Sequence, residues 1–332
     1  MLKIQKDYIW KNLKEKVSMF IAFKRKISQM KRWSIMLLGR SHFHHSQQSN
    51  YTSFTFDQNL YPSNLESKLA WKGCPDVNGI PMNKMSDGNY FHFPIALAQK
   101  AISHHDNYQR YKKNSDLETF KKIVLWLVEN QHANGGWDCW SKSEKPTISN
   151  YSSMAQGEII SVLVRYLNAF KDDSFIIENS CHMAYKYLQD DLLMRVEDNY
   201  ILHEETPLNY RATILNGHVF TLWGIMDYDR HFNNSISPLQ KKSIQGLKNL
   251  VSECDRGYWS NYDVSGRIAS PFYHELHIEQ LKAVYYQTSD PFFYEVVQKW
   301  SGYNNNNVYR FISFIIKAKQ KLFEKSYNEF IA

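Results

Sequence analysis

The stretch YSSMAQGEIISVLVRYL, residues 151–167, places apolar side chains on more than one face of a helix. A helix with this pattern is buried on two sides, because packing on one side needs only a single apolar stripe. The segment that begins near Ser115 differs, since Lys121 and Lys122 alternate with its apolar residues. The first pattern predicts an inner helix, and the second predicts an outer helix that covers it.

Both patterns recur along the chain with a period near 60 residues. Apolar helices are predicted to begin near Pro94, Met154, Leu215 and Glu275. Amphipathic helices are predicted between them, beginning near Ser115, Asp173, Ser237 and Ser289. A regular alternation of this kind is typical of stacked helical hairpins. The sequence therefore predicts an all-α fold over residues 61–332, an incomplete α/α toroid of about four helical hairpins.

The composition is that of a globular chain. Its 332 residues are 43% hydrophobic, 22% charged and 15% aromatic, with only 13 Gly and 9 Pro. This balance argues against a disordered, collagen-like or low-complexity protein. The four cysteines lie far apart and form no C-x-x-C pair, so neither a zinc knuckle nor a dense disulfide framework is predicted. A reducing compartment is the simpler expectation.

Residues 1–60 are predicted to form a basic amphipathic leader and linker. Residues 1–40 contain eleven Lys and Arg against Asp7 and Glu15, a net charge of +9. The whole chain carries +7, so the other 292 residues together carry −2. This nearly neutral remainder argues against nucleic acid as a partner.

The leader has no segment that predicts membrane insertion or export. Its longest mostly apolar run, residues 17–23, is shorter than the roughly 20 residues that span a bilayer. No small-residue cleavage site follows that run, so we expect a cytoplasmic protein. Two interpretations of the leader stay open. It attaches peripherally to a partner or to an anionic membrane at its inner face, or it is a solvated helix packed on the body.

Unusual polar and aromatic residues collect in the loops before the four predicted inner helices, at residues 86–93, 150–153, 204–213 and 262–273. In a toroid these loops lie on one face, where the helix N-termini favour an anionic ligand. Tyrosine and tryptophan rings suit sugars, and the chain has no Gly-rich phosphate loop. The loops therefore predict an acidic carbohydrate ligand. Trp137 and Trp140 either line this groove or pack within their own loop.

Four stretches, taken together and in order, resemble the C-terminal domain of D-glucuronyl C5-epimerases. They are GIPMNKMSDGNYFHFPIALAQ (79–99), YSSMAQGEIISVLVRYL (151–167), EETP with ILNGHVFTLWGIMDY (204–207 and 214–228), and YD with YHELHIEQL (262–263 and 273–281). The resemblance covers roughly residues 75–300. It implies an α/α toroid and an isomerase that inverts C5 of D-glucuronate to L-iduronate. The implied substrate is a heparosan-like polysaccharide, as in capsule assembly, and no redox cofactor is implied.

The resemblance also implies roles for individual residues. Glu205 matches an active-site carboxylate, Tyr262 a substrate-contacting tyrosine and Tyr273 a proton-transfer tyrosine, and these three are expected to be catalytic. Glu205 and Tyr273 are the expected acid/base pair, because inversion needs a base on one face of the sugar and an acid on the other. The residues expected to bind substrate are Tyr90, Tyr151, Glu204, Tyr210, Arg211, Asn216, Arg267 and His274.

No metal site is predicted. His274 and His277 have the spacing H-x-x-H, but the surrounding sequence offers no obvious third ligand. Hydrogen bonding within the fold is the favoured interpretation of this pair.

Two positions depart from the family's pattern. The family's E-E-Y-P has Thr206 in place of the tyrosine, and its Y-D-L-R has Ser265 in place of the arginine. Tyr210 and Arg211, or Arg267, are the candidates to replace them from the same loops. Two rival functions therefore stay open. One is a polysaccharide lyase, which removes the same proton, and the other is a catalytically degenerate toroid that binds an acidic glycan.

Overall fold

The computed structural model describes residues 60–170, 174–233, 235–324 and 330–331, together with scattered residues between 16 and 35. Most of the predicted leader and linker, residues 1–60, lies outside the described residues. The described part is mainly helical, and its inner and outer helices alternate along the chain. The inner helices are α1 (Pro94–Tyr111), α3 (Ser153–Ala169), α5 (Leu215–Tyr228) and α7 (Pro271–Thr288). The outer helices are α2 (Asn114–Glu129), α4 (Ser174–Tyr187), α6 (Pro238–Cys254) and α8 (Pro291–Asn305).

The inner helices pack against one another in chain order, from α1 through α3 and α5 to α7, and each outer helix packs on the inner helix before it. Every residue of α5 is buried, as expected for a helix covered on all sides. The prediction of an all-α toroid of about four hairpins is therefore confirmed. A further helix, α9 (Asn307–Phe323), packs on α8 and α7.

Short elements fill the connections. A 3-10 turn (Glu66–Ala70) precedes strands β1 (Cys74–Pro75), β2 (Pro81–Met85) and β3 (Tyr90–Phe91), which pair in antiparallel order. Strands β4 (Met194–Val196) and β5 (Ile201–His203) form a hairpin before α5, and a π-helical turn (Asp229–Asn233) follows α5. Strand β6 (Phe330–Ile331) pairs with β2. No helix among the described residues is long and apolar enough to cross a bilayer.

One predicted boundary was wrong. Helix α7 begins at Pro271, about one turn before the predicted start near Glu275. The reason is local, because the Ser270 hydroxyl accepts a hydrogen bond from the Tyr273 N–H and proline favours the first helical position. Tyr273 therefore lies in the first turn of a helix and not in a loop.

Glycines allow α3 and α5 to approach closely. A Cβ atom at Gly224 would collide with the backbone of Gly157 on the facing helix. Farther along the same two helices, Arg165 donates a buried hydrogen bond of 2.6 Å to Asp227. The centre of the toroid is thus fixed by backbone contact and by an ion pair.

We expect Gly224→Ala to lower the free energy of unfolding by about 1–3 kcal/mol, because the added methyl group must push two inner helices apart. Gly302→Ala is the matched control, since a Cβ atom at that helical position meets no atom within 4 Å. The control should gain about 0.5–1 kcal/mol from the better helix propensity of alanine. Urea unfolding of both variants measures the difference. Equal stability of the two would contradict the close approach.

Candidate active site

A cavity of about 230 Å³ lies where the N-terminal ends of the four inner helices meet. Its walls come from each inner helix, from the loop after β5 and from the segment before α1. The lining residues are Ser63, Leu65, Lys68, Asn83, Phe93, Ile95, Ala96, Gln99, Met154, Glu205, Asn216, Phe220, Tyr273 and Leu276. Three of the four loops predicted to share one face therefore reach this cavity, through Phe93, Glu205 and Tyr273.

Glu205 is held in this cavity by its backbone and by a glycine. Its carbonyl oxygen accepts a hydrogen bond of 3.1 Å from the Trp140 indole. The preceding carbonyl, that of Glu204, accepts one of 3.1 Å from the N–H of Ser153 at the start of α3. The carboxylate lies against Gly217, where a Cβ atom would collide with it. The glycine thus makes room for the carboxylate beside α5.

The environment of Glu205 alters its acidity. Its Oε2 atom is buried and has no hydrogen-bond partner in the described structure. Burial raises the pKa of the Glu205 carboxyl to about 7, while the charges of Lys145 and Arg267 lower it and that of Asp263 raises it. A carboxyl group with this pKa can accept a proton and release it near neutral pH.

Tyr273 faces the same cavity from the first turn of α7. Its ring meets that of Tyr262 edge to face, with 4.7 Å between centroids. Burial and the charge of Glu205 raise the pKa of Tyr273 to about 12, and a hydrogen bond with Tyr262 opposes this shift. Burial also raises the pKa of Tyr262 well above its usual value. Both phenols are therefore neutral proton carriers at physiological pH.

The loop after Tyr262 brings Arg267 beside the two tyrosines. The Asp263 carboxylate accepts hydrogen bonds from the N–H and hydroxyl of Ser265 and pairs with Arg267. The guanidinium carbon of Arg267 lies 5.3 Å from the centre of the Tyr262 ring. Lys317 on α9 lies 5.7 Å from the same ring centre. Ser265 therefore helps to anchor the loop that places Arg267 beside Tyr262.

The family model described as D-glucuronyl C5-epimerase C-terminus matches residues 132–302, which is more than half of the chain. The chain belongs to this family. The D-glucuronyl C5-epimerase of Caenorhabditis elegans is 27% identical over 223 residues, which is 59% of this chain and 36% of that relative. The chain thus spans about a third of the length of this curated relative.

Two further proteins are similar over smaller regions or at lower identity. An uncharacterized protein of Methanocaldococcus jannaschii is 32% identical over 89 residues, which is 26% of this chain and 29% of that protein. Among solved structures, the cellobiose 2-epimerase from Bacillus thermoamylovorans aligns with a TM-score of 0.49 at 11% identity. That alignment covers 65% of this chain and 61% of the other chain.

The family-derived substitutes for the missing tyrosine and arginine fall in different places. Arg267 lies beside Tyr262, as described above. Arg211, in contrast, forms an ion pair of 2.7 Å with Glu253 on α6. Tyr210 is 54% exposed. Neither Tyr210 nor Arg211 lines the cavity.

Of the residues expected to bind substrate, Asn216 lines the cavity, and its buried Oδ1 atom has no partner in the described structure. Glu204 does not line it. Its Oε1 atom accepts hydrogen bonds of 2.6 Å from Arg195 and 2.7 Å from Thr213. Glu204 thus anchors the loop that carries Glu205.

His274 is buried behind the cavity wall. Its Nδ1 atom lies 2.8 Å from the Ser260 hydroxyl, and its Nε2 atom lies 3.2 Å from the Trp300 carbonyl. Burial lowers the pKa of His274 to about 3. His277 also contacts the Ser260 hydroxyl, at 3.0 Å. This arrangement is hydrogen bonding within the fold, and no cluster of three potential metal ligands occurs among the described residues.

The remaining aromatic candidates also lie outside the cavity wall. Tyr151 donates or accepts a hydrogen bond of 2.9 Å with His132 and packs on a turn in the preceding loop. Tyr90 is 47% exposed on β3. Trp137 and Trp140 are buried, and both indoles donate to backbone carbonyls. Neither tryptophan lines the cavity, because Trp137 is bound to the Leu127 carbonyl of α2 and Trp140 to the backbone of Glu205.

A second polar cluster lies beside the cavity and was not predicted from the sequence. Glu158 on α3 is fully buried, and its Oε1 atom accepts a hydrogen bond of 2.9 Å from Gln99 on α1. Burial raises the pKa of Glu158 to about 8. Burial also lowers the pKa of the nearby Lys68 to about 8. A lone carboxylate within an apolar helix was the available signal for Glu158, whereas Lys68 lies outside the stretches that resemble the family.

Proposed function

We propose that this protein is a uronate C5-epimerase that converts D-glucuronate to L-iduronate residues within a heparosan-like polysaccharide. The observation that carries the proposal is that Glu205, with its unpartnered oxygen and its pKa of about 7, shares one cavity with Tyr273. Membership of the D-glucuronyl C5-epimerase C-terminus family supports it. Assembly of a capsule or other surface polysaccharide is the setting that we propose for this reaction.

Unpartnered oxygens support a sugar as the ligand. Asn83 Oδ1, Glu205 Oε2 and Asn216 Oδ1 all belong to residues that line the cavity, and each is buried without a hydrogen-bond partner in the described structure. Buried polar atoms are normally paired, so these three acceptors favour a ligand rich in hydroxyl donors. A pyranose ring has that chemistry.

The proposed reaction transfers two protons on opposite faces of the sugar. Glu205 accepts the proton from C5 of D-glucuronate, and the electron pair of the C–H bond moves into the substrate carboxylate. Tyr273 donates its phenolic proton to C5 from the other face, which forms the new C–H bond of L-iduronate. Tyr262 and the positive charge of Arg267 stabilise the resulting phenolate. Proton exchange with solvent then returns Glu205 and Tyr273 to their starting states.

Helix N-termini support the negative charge that gathers on the substrate carboxylate. The first residues of α1 and α5 line the cavity, and neither helix has a side-chain cap. Unpaired N–H groups at a helix N-terminus carry partial positive charge. They therefore favour the charge-rich intermediate over the ground state.

Incubation with heparosan in deuterium oxide, followed by NMR, tests the proposal. Deuterium at C5 together with iduronate signals would establish epimerisation. Shortened chains with an unsaturated uronate that absorbs ultraviolet light would instead identify a lyase. Binding of heparosan without any exchange at C5 would indicate a degenerate toroid that only binds the glycan.

The acidity of Glu205 predicts the pH dependence of the forward reaction. Only the deprotonated carboxylate can accept the C5 proton, so kcat/KM should rise with pH through a limb near pH 7. Loss of the Tyr273 proton should lower the rate only above about pH 10, because this donor has a pKa of about 12. Initial rates of deuterium incorporation measure the profile. A limb near 4.5, the value for an unperturbed glutamate, would argue against Glu205 as the base.

We also propose that the basic leader places the enzyme at an anionic membrane surface on the cytoplasmic side. The net charge of +9 on residues 1–40 supports this, as do Met19, Phe20, Phe23 and Ile27, each of which is more than half exposed. Deleting residues 1–40 should abolish sedimentation with anionic vesicles. Unchanged sedimentation would contradict the proposal.

A further inference from the structure

Lys68 lies in the cavity wall on the side of α1. Of the described residues that line the cavity, it alone is basic. Its 3-10 turn is fixed in place, because the Lys100 ammonium donates hydrogen bonds to the carbonyls of Lys68, Leu69 and Trp71. The position of the Lys68 backbone is therefore set by the fold.

The ammonium group of Lys68 has no ion-pair partner among the described residues. Glu158 is the acidic residue whose charge acts on it, but one Glu158 oxygen is occupied by Gln99. Glu158 is also fully buried in α3, and burial keeps its carboxyl protonated at neutral pH. The cavity therefore holds a cation that the protein does not neutralise.

Arg267, on the tyrosine side of the site, is already engaged. Arg267 pairs with Asp263 and also lies 3.7 Å from Glu324. It belongs to the tyrosine side of the site and is absent from the cavity wall.

We propose that Lys68 binds the carboxylate of the uronate ring and so selects uronates over neutral hexoses. The inference rests on the proposed function. An ammonium group at this position would stabilise the charge that moves into the carboxylate when C5 loses its proton. The protonated Glu158 does not compete for Lys68, and it holds the Gln99 amide at the edge of the cavity.

Calorimetric titration with two ligands tests the role of Lys68. The ligands are a heparosan oligosaccharide and the same oligosaccharide with its carboxyl groups reduced to alcohols. The native protein should bind the acidic ligand at least tenfold more tightly. Lys68→Met should lose this preference, because only its binding of the acidic ligand is weakened. Lys68→Arg should keep part of the preference. Lys72→Met is the matched control, because Lys72 is an exposed lysine in the same segment.

Two results would overturn the inference, and only one of them would also overturn the proposed function. If Lys68→Met keeps the full preference for the acidic ligand while the native protein epimerises heparosan, the assignment of Lys68 is wrong and the proposed function stands. If the native protein neither prefers the acidic ligand nor exchanges the C5 proton, both the assignment and the proposed function fail.

A second inference concerns the outward face of α9. Six large apolar side chains on this helix are exposed, namely Val308, Phe311, Ile312, Ile315, Leu322 and Phe323. Their spacing of three, four and seven residues places them on one side of the helix. The opposite side is packed on the body, with Ser313 and Ala318 buried and Lys317 beside Tyr262. An apolar stripe of this length is unusual on a solvated helix.

The leader meets α9 at its C-terminal end. The Lys26 ammonium donates a hydrogen bond of 2.9 Å to the carbonyl of Leu322. This contact places a lysine of the basic leader at the C-terminal end of the exposed stripe of α9. We infer that the exposed face of α9, with Lys26 at its end, forms a surface for an anionic bilayer, in which apolar side chains enter the interface and lysines contact the headgroups.

Co-sedimentation of the full chain with phosphatidylcholine vesicles containing phosphatidylserine tests this surface. The double variant Phe311→Ser, Ile315→Ser should reduce the partition coefficient at least tenfold. Phe175→Ser is the matched control, because Phe175 is 81% exposed on α4, away from this stripe. Unchanged partitioning of the double variant would overturn the inference. The inference would also be overturned if the native protein were a dimer without lipid and the double variant a monomer. A second copy of the chain would then cover α9.

Discussion

Glu205→Gln should reduce the rate of C5 exchange from D-glucuronate about a thousandfold, because the amide cannot accept the proton. Glutamine has nearly the shape of glutamate, and Gly217 leaves room for either side chain beside α5. The loss would therefore report on proton transfer and not on packing. Deuterium incorporation into heparosan at pH 8 measures it. Glu253→Gln, at an exposed ion pair with Arg211, is the control and should retain native activity.

The same substitution should stabilise the fold at pH 8. The pKa of Glu205 is raised from 4.5 to about 7 in the folded protein, so the folded state disfavours the charged form. The stability that the protonated Glu205 carboxyl contributes to the fold is complete below pH 4.5 and is lost as the pH rises through about 7. A neutral glutamine avoids this loss, and a gain of about 1–2 kcal/mol is expected at pH 8. Thermal melts at pH 4 and pH 8 measure it, and a variant that is both active and less stable would contradict both expectations.

Tyr273→Phe should nearly abolish iduronate formation, by about a hundredfold to a thousandfold, while leaving exchange at C5 of D-glucuronate measurable. Glu205 can still remove the C5 proton and return a deuteron to the same face, but the opposite face lacks its proton donor. The product is then deuterated glucuronate. NMR separates it from deuterated iduronate in one spectrum.

Tyr262→Phe is the matched variant for this experiment. Tyr262 contacts the Tyr273 ring but does not line the cavity. Its loss should slow iduronate formation only about tenfold, through the lost support of the Tyr273 phenolate. A Tyr273→Phe protein that still inverts C5 at the native rate would remove Tyr273 from the proposed mechanism. Equal losses in the two variants would mean that the two phenols act as one unit.

The helices could be predicted from sequence because their signals are local. Apolar periodicity and capping residues lie within the segment that they describe, and α1, α3 and α5 begin where those signals occur. The start of α7 was misplaced because the Ser270–Pro271 cap outweighs the apolar pattern that begins later. Helix α9 was not predicted because it follows the repeated hairpins and does not belong to them. Much of its apolar surface is also exposed, whereas a core helix buries it.

The site was less predictable because its wall joins distant parts of the chain. Glu204 and Glu205 are adjacent and identical, and only the fold shows that the first is paired with Arg195 while the second keeps an unpartnered oxygen. Arg211 and Arg267 were equivalent by sequence, and the turn built on Asp263 places the second beside Tyr262. Lys68 has no sequence signal, because its environment is created by helices that begin much later.

The segment that precedes α1 has a practical consequence for protein production. A fragment limited to residues 132–302 would retain Glu205 and Tyr273 but would lack Lys68, Asn83 and Gln99. One side of the cavity would then be open to bulk water, and the uncovered side of α3 would expose apolar surface. Expression of the recognisable region alone would therefore yield an aggregation-prone and inactive product, and useful truncations must begin before the Glu66–Ala70 turn.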